Sequence, residues 1–74
     1  MYNTIKAEIY FDGKYYCARC LEIDVFTQGK TLDELMINLK EAVSLHIEGE
    51  DLKKLNINKN PTILTIMEME LSCV

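Results

Sequence analysis

Between Thr31 and Gly49 the sequence carries a single apolar stripe at helical spacing, and this stripe constrains the fold more than any other feature. At ~100° per residue, Leu32, Leu35, Met36, Leu39, Ala42, Val43 and Ile47 fall on one side of a helix. Asp33, Glu34, Lys40, Glu41, Ser44 and Glu48 fall opposite, while Ile37 and Leu45 lie outside the stripe. Thr31-Leu32-Asp33-Glu34 reads as a capping box, in which the Thr31 hydroxyl takes the N–H of residue 34 and Glu34 reaches back to residue 31. Asp33 and Glu34 also suit the positive end of the helix dipole. Gly49 is a natural stop after Glu48. A helix with one apolar stripe has to bury it against a second layer.

The flanking segments supply that layer. Residues 5 to 11 alternate at strand period, and Asp12-Gly13 is a tight-turn signal. Residues 14 to 20 form the second strand of the predicted hairpin. A turn centred on Asp12-Gly13 pairs Tyr10 with Tyr15, Ile9 with Tyr16, Ala7 with Ala18 and Ile5 with Cys20. Directly opposed residues share a face. One face is then Ile5, Ala7, Ile9, Tyr16, Ala18 and Cys20, which is the core face. The other is Lys6, Glu8, Tyr10, Tyr15, Cys17 and Arg19. Residues 23 to 27 suggest a short third strand, followed by a loop at Gln28-Gly29-Lys30. Residues 50 to 61 read as a polar loop pinned by Leu52, Leu55 and Ile57, and residues 62 to 71 as a last strand.

The order is ββ(β)αβ, an α+β fold with an antiparallel sheet and one helix packed on one face. If the last strand instead pairs parallel to the first, the crossover should be right-handed. With 74 residues, 49% of them hydrophobic and 27% charged, the chain reads as a single globular domain over 1–74. A domain of this size buries only about 60–65% of its unfolded surface, so the core is thin.

Twelve acidic residues against eight basic ones give a net charge of −4. Nucleic acid would on average be repelled by such a surface, whereas a basic protein partner would be attracted. No apolar run approaches the ~20 residues of a membrane span. Met1-Tyr2-Asn3-Thr4 lacks the basic-then-apolar pattern of a secretion signal, which points to the cytoplasm. Cys17, Cys20 and Cys73 are an odd number, which argues against a disulfide framework.

No pattern for catalysis, cofactor or metal emerges. Cys17-Ala18-Arg19-Cys20 has CxxC spacing, but the hairpin puts its two sulfurs on opposite faces, with Cys20 in the core and Cys17 more exposed. His46, the single histidine, falls within the helix stripe beside Leu39 and Val43, as a partly buried side chain with no nucleophile in pattern. Glu8, Asp12, Asp24 and the helix acids are scattered over faces and loops. Gly13, Gly29 and Gly49 belong to no phosphate-binding loop. Met36, Met67 and Met69 sit at core spacing.

The stretch from Asp12 to Glu48 resembles the HicB antitoxin family. The resemblance is carried by Asp12-Gly13, then Tyr16-x-Ala18-x-Cys20-x-Glu22, then Thr27-Gln28-Gly29-Lys30-Thr31-Leu32-Asp33-Glu34, then Asn38-Leu39-Lys40-Glu41-Ala42-Val43. It spans about half the chain with order and spacing kept. Two departures stand out: Leu21 to Phe26 replace a Pro-x-Leu-Pro-Gly run, and Leu35 replaces an Ala. The resemblance implies a truncated RNase H-like fold and a cytoplasmic antitoxin that blocks a small basic HicA-type mRNA interferase. Many members continue into a DNA-binding segment. Here the chain reaches Val74 just after the fourth strand, so operator binding is not implied for it. The matching residues are scaffold features: core positions, a turn and a cap.

The expectation is therefore a non-catalytic protein–protein interaction domain of a toxin–antitoxin system, with a HicA-like toxin as partner and a homodimer or higher oligomer as its assembly. The alternatives are a stand-alone HicB-like homo-oligomer without a toxin, or a residual RNase H-like nuclease. The latter would need clustered carboxylates and a divalent ion. One helix covers one sheet face, so Tyr10, Tyr15 and Arg19 on the other are the candidate partner-binding residues, and the last strand is apolar on both faces, with Leu64 and Ile66 opposing Ile63, Met67 and Met69. Ile37 and Leu45 on the outer side of the helix are a second candidate patch.

Overall fold

The computed structural model describes residues 2–48 and 57–68, with side chains for residues 4–48 and 61–68. Strands β1 (Tyr2–Phe11), β2 (Tyr16–Cys20) and β3 (Phe26–Gly29) precede helix α1 (Leu32–Glu48), and strand β4 (Ile57–Met67) follows it. The four strands form one sheet in the order β3-β2-β1-β4. β1 is antiparallel to β2, and β2 to β3, but β4 runs parallel to β1. The α+β architecture with one helix on the sheet holds. The sheet is mixed rather than wholly antiparallel, because the chain crosses the sheet through α1 before β4 returns.

The helix begins and runs as its sequence requires. Glu34 N–H donates to Thr31 Oγ1 at 3.1 Å, and Leu35 N–H donates to the Thr31 carbonyl at 2.9 Å. Glu34 reaches one residue further back than a capping box predicts, accepting from Lys30 N–H at 3.4 Å. Leu35, Leu39 and Val43 are buried, and Leu32, Met36, Ala42 and Ile47 pack around them. They meet Ile5, Ala7 and Ile9 of β1, Ala18 and Cys20 of β2, and Ile23 and Val25 from the β2–β3 connection. No polar or charged residue is buried among the described residues.

The hairpin keeps its predicted faces but slips along the ladder. Ile9 pairs with Ala18, Tyr10 with Cys17 and Ala7 with Cys20. The cause is Asp12. Its Oδ1 accepts the N–H groups of Lys14 (2.9 Å) and Tyr15 (2.7 Å), while Asp12 N–H donates to the Tyr15 carbonyl. The turn is thereby centred on Gly13-Lys14, with Gly13 at φ 101°. These same N–H donors hold the Asp12 carboxyl below its ordinary pKa, that of Tyr15 most of all. Because the slip is an even number of residues, no side chain changes face.

The later elements shift more. Ile23 and Val25 precede β3 and point into the core, with Cys20 N–H bonded to the Val25 carbonyl. Gln28 and Gly29, predicted as loop, belong to β3. Gly29 has ordinary backbone angles, so it is not needed for a turn. A Cβ there would lie 2.7 Å from Leu35 N and 3.0 Å from Leu35 Cα, so glycine lets the first helical turn rest directly on the strand. β4 starts at Ile57, inside the segment read as a loop, and contains Pro61. Gly49, Leu52, Leu55, Met69, Leu71 and Cys73 lie outside the described residues.

Candidate functional site

The sheet face turned away from α1 is assembled by strand register. Arg19 pairs with Phe26 on one side and with Glu8 on the other, and Glu8 in turn pairs with Ile66. Phe26, Arg19, Glu8 and Ile66 therefore form one row across all four strands. A second row holds Gln28, Cys17 and Tyr10, and Lys6 pairs with Leu64. Phe26 is 55% exposed, Leu64 50%, Tyr10 47% and Ile66 44%. Large apolar side chains thus border a charged centre, as on many protein-binding surfaces.

At that centre Arg19 Nη2 lies 3.3 Å from Glu8 Oε1, with both side chains well exposed. Such a pair contributes little to stability, so Arg19 can exchange Glu8 for an external carboxylate at small cost. Tyr10 and Arg19 share this face on adjacent strands. Tyr15 is set apart from strand β2 in the tight turn. It faces Asp12 and is half-buried, with Lys14 Nζ 5.4 Å from its ring centroid. Ile37 and Leu45 are exposed on the outer side of α1, away from the sheet. The predicted candidates therefore fall in three places: Tyr10 with Arg19 on the open face, Tyr15 in the turn beside it, and Ile37 with Leu45 on the outer side of the helix.

Phe26 is the residue the sequence reading passed over. With Val25 directed inward, strand alternation sends Phe26 to the opposite face, a signal present in the sequence. Cys17 is also corrected: it is only 2% exposed, although it lies on the open face. Its Sγ lies 3.7 Å from Asp12 Oδ2 and 3.8 Å from the Tyr15 carbonyl, so the folded turn encloses it. Burial pushes the Cys17 thiol pKa up, and the Asp12 carboxylate raises it further. Burial likewise raises the Cys20 thiol, with Glu22 adding to it. Cys17 and Cys20 are both free thiols and sit on opposite faces, as the strand period requires.

Among the described residues, no three His, Cys, Asp or Glu side chains converge as metal ligands. Four carboxylates have scaffold partners among the described residues: Glu8 with Arg19, Asp12 with the turn amides, Glu22 with Lys6 and Glu34 with the Lys30 amide. His46 is half-buried. No helix among the described residues is long and apolar enough to cross a membrane. No family model, curated protein or solved structure matches this chain.

Proposed function

We propose that this chain is a non-catalytic, antitoxin-like binding domain that acts in the cytoplasm by covering a small basic HicA-type mRNA interferase. The observation that carries the reading is the open sheet face, where Phe26, Tyr10, Leu64 and Ile66 surround the loosely paired Arg19 and Glu8. Aromatic and Arg side chains are the residue types that most often anchor interfaces. The net charge of −4 favours encounter with a basic partner. The HicB-like pattern from Asp12 to Glu48 supplies the partner class.

The test is co-expression with a HicA-type interferase, reading both growth and RNA cleavage by the purified pair. The chain should suppress both. Replacing Arg19 with Glu and Phe26 with Ser should abolish suppression, and so should replacing Tyr10 and Tyr15 together with Ser, while the fold is kept. Suppression that survives both double substitutions would place the interface elsewhere, with Ile37 and Leu45 the next surface to alter.

A further inference from the structure

The outer edge of β4 carries a different signal. β4 has 11 residues, about twice the usual strand length, and it closes one side of the sheet. Its first half has the devices that discourage edge pairing: Pro61, and a register irregularity against β1 between Tyr2 and Thr4. From Thr62 to Met67 there is no charge, proline or bulge. Leu64 and Ile66 on one face, and Thr65 and Met67 on the other, are all exposed. A long uncharged edge that is exposed and apolar on both faces calls for a covering strand.

We infer that this strand is the β4 of a second copy, paired antiparallel about a two-fold axis through Thr65. Such an axis is perpendicular to the sheet, so opposed residues share a face and one residue pairs with its own counterpart. Centred on Thr65, Leu64 meets Ile66 of the other copy and Ile63 meets Met67, each apolar residue against an apolar one. Thr65 meets Thr65, a favourable cross-strand pair, and Thr62 meets Glu68. Centring on Leu64 would set Ile66 against Thr62 and Ile63 against Thr65. Centring on Ile66 would set Leu64 against Glu68 and Thr65 against Met67.

Charge selects the same centre and argues for a second copy. Lys6 of β1 pairs with Leu64, and Glu8 with Ile66. Across the joined sheets, each open-face row then reads Lys6, Leu64, Ile66, Glu8, with the last two from the other copy. Opposite charges flank each Leu64–Ile66 pair, while Ile5 and Ile9 flank each Ile63–Met67 pair. Centring on Ile66 would instead flank it with Glu8 on both sides. Two chains of net charge −4 thus meet along a seam free of like-charge opposition. The product is a continuous eight-stranded sheet, with both helices on one face and both open faces on the other.

Sedimentation across a concentration series tests the pairing, with circular dichroism to confirm folding. The wild-type chain should sediment as a dimer. Leu64→Lys with Ile66→Lys sets like charges against each other and should give a folded monomer at concentrations where wild type is dimeric. Leu64→Lys with Ile66→Glu sets opposite charges against each other without a like-charge pair only in the Thr65 register, since centring on Ile66 would oppose Glu to Glu on the axis and centring on Leu64 would oppose Lys to Lys, and it should restore the dimer. Should the double lysine variant fail to fold, Thr65→Lys, which opposes one lysine to another on the axis, should give the monomer. A monomeric wild type, a dimer that survives these lysine substitutions, or a folded Lys/Glu variant that stays monomeric would each overturn the proposal.

Discussion

Glu22 holds Lys6 at two points. Lys6 N–H donates to Glu22 Oε1 at 2.8 Å, and the Lys6 ammonium lies 2.9 Å from Glu22 Oε2. Leu21 N–H donates to the Lys6 carbonyl, so this carboxylate takes over the backbone ladder where β2 ends. The Glu22 side chain is 8% exposed, although the residue as a whole is half-buried. Burial works to raise its pKa, but the Lys6 side chain and amide outweigh burial, and the carboxyl settles below its ordinary value.

That balance sets a pH dependence. A carboxyl with a depressed folded pKa contributes stability that is fully present above its unfolded pKa. The contribution is lost as pH falls through the folded pKa. Glu22→Gln should therefore destabilise the domain near neutral pH, and Glu22→Ala should cost about 1.5–3 kcal/mol there. The gap between wild type and Glu22→Gln in urea midpoint should shrink as pH drops below the ordinary carboxylate range. A gap that stays constant with pH would show that charge plays no part.

Gly13 and Gly29 should both resist alanine, for separable reasons. Gly13 has open space around it but a positive φ, so Gly13→Ala should lose about 1–2 kcal/mol through backbone conformation alone. Gly29 has ordinary angles but no room. Gly29→Ala should lose about 1–3 kcal/mol by pushing the first turn of α1 off β3. Hydrogen exchange separates them: Gly29→Ala should expose the Glu34 and Leu35 amides, and Gly13→Ala should leave them protected.

Thr31→Ala should lose about 1 kcal/mol, since it removes the acceptor for Glu34 N–H. Glu34→Ala should lose less, because its bond to Lys30 N–H is long at 3.4 Å. Both are read from chemical denaturation. An equal loss from the two would mean that the reciprocal bond matters as much as the hydroxyl.

The cysteines should differ under serine substitution. Cys20 points into the apolar core among Ile5, Ala7 and Leu35, and a hydroxyl there has no acceptor in the cluster, so Cys20→Ser should cost about 1–3 kcal/mol. Cys17 is equally buried, but its sulfur already faces Asp12 Oδ2 and the Tyr15 carbonyl. A serine hydroxyl can use the same acceptors, so Cys17→Ser should have the smaller effect in thermal melts.

Much of this architecture is legible in the residues, and the losses have physical causes. Helix α1 could be read from Thr31 to Glu48 because cap, periodicity and charge agree. The hairpin faces were legible through strand period. The pairing was not, because one side-chain bond set from Asp12 moves the turn by a single residue. The burial of Cys17 followed from that same turn. Pro61 suggested the end of a loop, but an edge strand tolerates proline, so β4 extends through it. Parallel pairing of β1 with β4 leaves no local signature, because it depends on how the chain closes around the helix. Tyr10 and Arg19 could be placed together from alternation, whereas Tyr15 depended on the turn centre.

The position of β4 also orders the assembly of the molecule. β1, β2, β3 and α1 follow one another closely along the chain, so their contacts close short loops. β4 joins β1 from the far side of the helix, pairing Ile63 with Ile5 and Ile66 with Glu8. Contacts of such long sequence separation form late, because the loop entropy is lost before they are made. Until then the flank of β1 is a bare edge, bordered by the apolar side chains of the nascent core. Docking of β4 is therefore also the step that covers the open edge of β1. Substitutions that weaken β4 should raise aggregation during refolding before they reduce equilibrium stability in proportion.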